Sequence, residues 1–246
     1  MGNSAPITLA QLWRFKAAPG TAAAARQDAA VTQLEEQLQA GRPYGEVMRR
    51  SEPWFATWSQ GGQQPEPAAP RATNPLAVPY FPQLDNGPEG WRQCQSSSIA
   101  MCAAFLGVAG IRDDLDYLRV VERFGDTTSQ DAHRQALASL KAPGRFRQNL
   151  GTAELLGELK GGRPVAIGIL HHGHVSAPSG GGHYIVVIGW TDSAWICHDP
   201  YGELDLVNGG WARQGSGGRS VMYSHRNLNP RWLPQGLQSG WGWVFS

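Results

Sequence analysis

The stretch VPYFPQLDNGPEGWRQCQSSSIAMCAAFLG, residues 78–107, contains the most informative residue of the chain, Cys94. Its first part is rich in turn-forming residues, and a run of small and apolar residues that is typical of a helix begins directly after Cys94. The unpaired N–H groups and the dipole at a helix N-terminus favour a thiolate, which is the nucleophilic form of cysteine. The sequence therefore predicts that Cys94 is a nucleophile at the start of a helix.

Two motifs further along the chain supply partners for this thiol. His183 follows three glycines and precedes the apolar run YIVVIGW, which predicts a histidine at the start of a strand with room for a substrate backbone beside it. Asp199 follows WICH and precedes Pro200, so it lies at a strand end. A strand of about seven residues, a short turn and a second strand return the chain beside its start. We therefore expect Asp199 to orient the His183 imidazole across a hairpin; Asp192 and Asp205 are poorer candidates.

A glutamine near the thiol is a candidate donor to the oxyanion that forms during acyl transfer. Gln83 and Gln93 both precede Cys94. A residue adjacent to the nucleophile usually points away from it, which favours Gln83 acting together with the Cys94 backbone N–H. Gln93 remains the alternative.

Composition limits the classes of function. A net charge of +1 over 246 residues argues against general nucleic-acid binding, so we expect no nucleic-acid partner. Three cysteines cannot all pair, and Cys102 and Cys197 lie in apolar runs typical of buried positions. The ten tryptophans favour core packing over a sugar- or peptide-binding surface.

The N-terminus has no basic segment followed by an apolar stretch, and the longest apolar run, residues 185–188, is too short to span a bilayer. We expect a protein made in the cytoplasm without a signal peptide and without a membrane partner. Its export would depend on another protein.

The chain divides into three parts. Residues 1–60 predict a small helical module, residues 61–76 a linker rich in Pro, Gly and Gln, and residues 77–246 the main domain.

In the main domain, helices are predicted at Gln95–Leu106, Asp113–Phe124, Ser129–Leu140 and from Thr152 onward. Strands follow at Val165–Leu170, Tyr184–Trp190, Ala194–His198 and Glu203–Val207. Helices followed by a mostly antiparallel sheet indicate an α+β domain.

These motifs resemble those of papain-like cysteine peptidases of the bacteriocin-processing (double-glycine) peptidase-like group. The similarity covers roughly residues 77–210 and includes the segment quoted above, GGHYIVVIGW and ICHDPYGE, in the family's order. The resemblance implies a papain-like fold with Cys94 as nucleophile, His183 as base, Asp199 as orienting residue and Gln83 as oxyanion donor. It implies no cofactor and no metal. Gln95 departs from the Gly or Asn that many relatives have after the cysteine, which affects the pocket.

The C-terminal segment is similar to the tails of such peptidases in cyanobacteria and their phages, and ITLAQLWRFKAAPG resembles helical modules placed before lytic domains. Together these similarities imply a phage-type cell-wall hydrolase, either an endolysin or a virion-associated lysin. The implied substrate is the stem peptide of peptidoglycan, other tail proteins are the implied partners, and the bacterial cell wall is the implied place of action.

Three alternatives remain open. His171, His172 and His174 form a histidine-rich tract that could bind zinc. A tail protein could use a peptidase-like fold only to attach to the cell wall. A maturation peptidase could remove a leader from another protein.

Overall fold

A computed structural model describes residues 73–246 of the protein. The predicted helical module at residues 1–60 and most of the predicted linker at residues 61–76 lie outside the described residues.

The described part is an α+β fold. Its helices are α1 (Cys94–Phe105), α2 (Asp114–Val121), α3 (Gln130–Ser139), α4 (Thr152–Lys160) and α5 (His225–Trp232). Its strands are β1 (Arg145–Leu150), β2 (Val165–Ile169), β3 (His183–Trp190), β4 (Ala194–His198), β5 (Gly202–Leu204), β6 (Trp211–Gln214), β7 (Val221–Ser224) and β8 (Gly240–Val244).

Six strands form one antiparallel sheet in the order β1-β8-β2-β3-β4-β7, and β5 and β6 form a separate antiparallel pair. Strand β3 lies inside the larger sheet between β2 and β4, and its first seven residues are buried. Burial on both faces explains why YIVVIGW is continuously apolar rather than alternating. The sheet therefore holds the start of β3 between two neighbours.

Helix α1 packs against β3 and is buried on every side, because each residue from Gln95 to Ala103 is buried. Its serines and alanines are small enough to let neighbouring elements approach closely. The Ser96 hydroxyl lies 2.6 Å from the Thr127 hydroxyl, and Ser97 bonds the Asp114 carboxylate. These bonds satisfy polar groups whose burial would otherwise be costly.

The helix caps follow the sequence. Asp113 accepts a hydrogen bond from Asp116 N at 2.7 Å, and Ser129 accepts one from Ala132 N at 3.3 Å. Side-chain acceptors at these positions satisfy N–H groups that the first turn leaves free. The four predicted helices and four predicted strands are confirmed, with ends that differ by a few residues.

The prediction left out helix α5 and strands β1, β6, β7 and β8. These strands have four to six residues, and none has a run of β-branched residues; β1, β6 and β8 contain glycine, arginine or tryptophan instead. No helix within residues 73–246 has the length and apolar character needed to cross a membrane.

Candidate active site

Cys94 is the first residue of α1 and is partly exposed. Two short 3-10 turns, Gln83–Asp85 and Gly90–Arg92, precede it. A Cβ atom at position 90 would lie 2.3 Å from Gln83 O, so glycine is needed for the two turns to pack together. The first N–H groups of a helix have no partner within the helix. The thiol therefore lies beside free backbone donors, where the sequence placed it.

His183 and Asp199 meet at the open end of the predicted hairpin. His183 begins β3, Asp199 follows the last residue of β4, and the strands pair antiparallel with Val186 opposite His198. His183 Nε2 lies 2.7 Å from Asp199 Oδ1. Cys94 and His183 line the same cavity, and Cys94 is among the groups that raise the pKa of His183. Because Nε2 faces the carboxylate, Nδ1 is the ring nitrogen left for the thiol.

The Asp199 carboxylate is fully buried and held by several donors. Oδ1 also accepts from Tyr201 N at 3.1 Å, and Oδ2 accepts from the Tyr223 hydroxyl at 2.8 Å. The backbone N–H of Asp199 donates to Gly218 O at 2.9 Å. A buried carboxylate with this many donors has a single orientation and is available to fix the imidazole. Tyr223 lies on β7, which the sequence analysis did not predict, and no local signal pointed to it.

The protonation of His183 follows from these contacts. Burial opposes the imidazolium, but the charge and hydrogen bond of Asp199, helped by Cys94, outweigh burial and raise the pKa of His183 to about 10. The imidazole is therefore charged near neutral pH and can donate a proton. A charged imidazole beside a sulfur atom also stabilises a thiolate.

Two aromatic rings cover the pair. The Trp211 ring is T-shaped against His183, with centroids 4.8 Å apart, and Tyr201 stacks on Trp211 at 4.2 Å. Rings in this position restrict water access to the His183–Asp199 bond, which strengthens it. The high tryptophan content predicted core packing, but it could not single out Trp211, because that contact depends on the small β5–β6 sheet.

The two glutamines considered as oxyanion donors are both buried. Gln83 Nε2 donates to Gly90 O at 2.7 Å, and Gln83 N donates to Pro200 O at 2.9 Å, which ties this turn to the segment after Asp199. Gln93 precedes the thiol, and its Oε1 has no partner among the described residues. The oxyanion role of Gln83 stays a prediction.

The histidine-rich tract separates into two parts. His171 and His172 have ring centroids 4.0 Å apart, and the His171 ring lies 5.9 Å from that of His183. His174 is exposed and its Nδ1 lies 2.8 Å from the Ser176 hydroxyl. Within residues 73–246, no group of three or more His, Cys, Asp and Glu side chains is placed to hold a metal ion.

Arg231 fixes the loop that carries these histidines. It is fully buried and donates to the carbonyl oxygens of Leu170, His172, Gly173 and Leu206 at 2.7–3.1 Å. Four carbonyl acceptors compensate for part of the cost of burying a guanidinium. The loop is therefore anchored at the edge of the site.

A cleft runs past Cys94 and has two adjoining cavities, of about 320 and 380 Å³. Arg92, Cys94, Thr128 and Gly182 line both, so the thiol lies where the cavities meet. The smaller is also lined by Gln95, Gln130, Leu170, Gly180, Gly181, Tyr184 and Trp241. The larger is also lined by Trp91, His171, His172, His183, Tyr201 and Trp211. A chain bound in this cleft would extend to both sides of the sulfur atom.

The model of the Peptidase_C39 like family matches residues 75–209, which is more than half of the chain. A crystal structure of a putative C39-like peptidase from Bacillus anthracis is similar with a TM-score of 0.47 and 16% identity, over 69% of this chain and 94% of that chain. No curated protein matches the sequence. The matched residues begin before the two turns that precede Cys94 and end after Asp199. The chain therefore belongs to the Peptidase_C39 like family.

Proposed function

We propose that this protein is a cysteine peptidase in which Cys94 is the nucleophile, His183 the acid and base, and Asp199 the residue that orients His183. The 2.7 Å bond between His183 and a buried Asp199, in a cavity that Cys94 and His183 line together, carries the proposal. Covalent acyl transfer uses a nucleophile next to a base, and an orienting group that holds the base from its other side.

In the first half of the reaction, the Cys94 sulfur attacks the carbonyl carbon of the substrate, and the carbonyl oxygen becomes an oxyanion. The Cys94 N–H and the second amide hydrogen of Gln83, beyond the one given to Gly90, donate to that oxygen. The C–N bond then breaks while the imidazolium of His183 passes its proton to the leaving nitrogen. An amine departs and a thioester on Cys94 remains.

The second half regenerates the thiol group. His183 is now neutral and removes a proton from a water molecule, whose oxygen bonds to the thioester carbon. The C–S bond breaks, and the carboxylic acid product leaves with the Cys94 thiolate and protonated His183 restored. Asp199 keeps Nε2 bound throughout and stabilises the charged imidazole in both halves.

As substrate we propose the stem peptide of peptidoglycan, cut by a phage-type endolysin or a virion-associated lysin acting at the bacterial cell wall. The sequence similarity of the C-terminal segment to tails of phage and cyanobacterial peptidases supports this choice. The aromatic lining of the larger cavity, with Trp91, Tyr201 and Trp211, suits a bulky leaving group.

The test is amine release from purified peptidoglycan by the wild type and by Cys94→Ala, each with and without a chelator. We expect release by the wild type only and no effect of the chelator. Circular dichroism of Cys94→Ala should match that of the wild type, because Cys94 is only partly buried.

Other outcomes separate the alternatives. If the chelator abolishes amine release and Cys94→Ala does not, the result would indicate a metal site at the histidine tract. Tight binding to peptidoglycan without release would favour a cell-wall attachment protein. Cleavage of a protein substrate but not of peptidoglycan would favour a maturation peptidase. Undiminished release by Cys94→Ala would overturn the assignment of the nucleophile.

A further inference from the structure

The mechanism distinguishes the two sides of the cleft. His183 must reach the nitrogen of the departing amine, so the larger cavity, which His183 lines, takes the leaving group. The smaller cavity lacks His183 and takes the acyl part of the substrate, which stays bound to Cys94. The side chains of the smaller cavity therefore determine which residue precedes the cut.

Three polar side chains in the smaller cavity form a hydrogen-bonded chain from three separate elements. Gln95 on α1 donates through Nε2 to Gln130 Oε1 at 2.7 Å. Gln130, the first residue of α3, donates through Nε2 to the Tyr184 hydroxyl on β3 at 2.8 Å. Gln95 is adjacent to Cys94 and Tyr184 is adjacent to His183. All three side chains line the smaller cavity together with Cys94, so the chain lies beside the nucleophile.

The ends of this chain remain available to a ligand. Tyr184 accepts from Gln130, and its own hydroxyl hydrogen has no acceptor within residues 73–246. Burial raises the pKa of Tyr184, which keeps that hydrogen in place. Gln95 uses its amide nitrogen, so its carbonyl oxygen is left as an acceptor. If the amide oxygen and nitrogen of both glutamines are exchanged, each hydrogen bond runs in the opposite direction. One end of the chain is then still a donor and the other still an acceptor.

The cavity offers no unpaired charge. Among the residues that the structure describes, Arg92 is the only basic or acidic one in this lining, and it already contacts Asp126 at 3.0 Å and Glu89 at 3.9 Å. A substrate carboxylate would also approach the Cys94 thiolate, which repels it. The lining thus disfavours acidic residues and offers no carboxylate to basic ones.

We propose that Gln95, Gln130 and Tyr184 select a substrate with an uncharged carboxamide side chain, such as glutamine, on the acyl side of the cut. The inference rests on the proposed peptidase function and adds its specificity. A carboxamide has one acceptor oxygen and a donor nitrogen, which matches the free donor and acceptor of the chain. A site with buried polar groups rejects an isostere that leaves them unpaired.

The experiment uses fluorogenic peptides with a constant aminocoumarin leaving group, acetyl-Xaa-Ala-coumarin and acetyl-Ala-Xaa-coumarin, in which Xaa is Gln, Met or Glu. The three side chains have similar length and differ in hydrogen bonding and charge. At one of the two positions, we expect kcat/KM for Gln to exceed that for Met about tenfold and that for Glu about a hundredfold.

A matched pair of variants tests the residues. Tyr184→Phe should narrow the Gln-to-Met ratio about fivefold, since it removes one hydrogen-bond donor. Tyr117→Phe is the control, because the Tyr117 hydroxyl is also buried but bonds His133 and does not line either cavity. It should leave the ratio unchanged. A parallel loss on both peptides in Tyr184→Phe would mean a purely structural role and would overturn the inference.

The two proposals fail in different ways. Cleavage by the wild type with Met equal to or better than Gln at both positions removes the specificity and leaves the peptidase function. No cleavage of any peptide, with Cys94-dependent amine release from peptidoglycan retained, also removes only the specificity. Equal cleavage by the wild type and Cys94→Ala removes both.

Discussion

Two histidines buried in different parts of this fold have opposite protonation. His133 on α3 is fully buried, and its Nε2 donates to Thr127 O at 2.7 Å while its Nδ1 lies 3.1 Å from the Tyr117 hydroxyl. Burial lowers the pKa of His133 to about 4. His183 on β3 is 3% exposed, yet its pKa is raised to about 10, because the charge of Asp199 outweighs burial.

The difference shows that burial alone does not set the charge of a histidine. The hydrogen-bond partners of His133 are neutral and satisfy both ring nitrogens of the uncharged form, and the bond to Thr127 O and the charge of Asp126 do not outweigh burial. His183 has a carboxylate that is itself fixed by Tyr223 and Tyr201 N. One environment keeps the ring as a neutral part of the core, and the other keeps a proton ready for a leaving group.

The change with the largest expected effect is Asp199→Asn, which makes the environment of His183 resemble that of His133. Loss of the carboxylate should lower the pKa of His183 and remove the group that fixes its orientation. We expect kcat/KM to fall by about 10³–10⁴. Hydrolysis assays and NMR titration of the His183 ring check this. A lowered pKa with full activity would show that orientation by Asp199 is dispensable.

The low pKa of His133 predicts how the stability of the fold changes at acid pH. Its native pKa is below its unfolded value, so the native state binds fewer protons between about pH 4 and 6.5, and stability must fall as pH falls through that window. The loss at pH 4 is about 3 kcal/mol. His133→Gln should flatten this part of the pH profile of unfolding by urea, although the variant is less stable at pH 7.

His183 contributes the opposite slope, since a raised native pKa stabilises the fold at low pH and that contribution is lost as pH rises through about 10. His171, whose pKa burial and nearby cations lower to about 4, is retained in His133→Gln and contributes equally to both proteins. An unaltered acid slope in His133→Gln would contradict the assignment.

Trp211→Ala tests whether this ring shields the His183–Asp199 bond from water, and its expected effect is the smallest of the three variants. Removing the ring that lies against His183 should admit water to the His183–Asp199 bond and weaken it. We expect kcat/KM to fall about tenfold and the alkaline limit of activity to move to lower pH. Trp91→Ala is the matched control, because Trp91 lines the same cavity but is 60% exposed. Equal effects of both variants would point to substrate binding instead.

Local sequence was sufficient for the parts of this site that lie within one element or one hairpin. Cys94 precedes an evident helix, and the spacing of His183 and Asp199 fits two paired strands. The contacts of Trp211 and Tyr223 could not be predicted in this way, because β6 and β7 are short and take their positions from the rest of the fold.

Strand β8 shows the same limit. Its sequence, GWGWV, has glycines where β-branched residues are usual. The reason lies on neighbouring elements. Gly168 on β2 pairs with Trp241, and a Cβ atom there would lie 1.9 Å from the indole nitrogen. A Cβ at Gly240 would similarly meet the ring of Trp232 at 2.5 Å. Such size matching depends on partners far apart in sequence.

The positions of the three cysteines have a practical consequence. All are free, but Cys102 and Cys197 are fully buried, whereas Cys94 is partly exposed in the cleft. A thiol reagent therefore meets one accessible sulfur in the native protein and three after denaturation. The native chain can be labelled at a single atom beside the site without removing any other cysteine. The slow modification of the remaining two then reports how often the core around α1 and β4 opens.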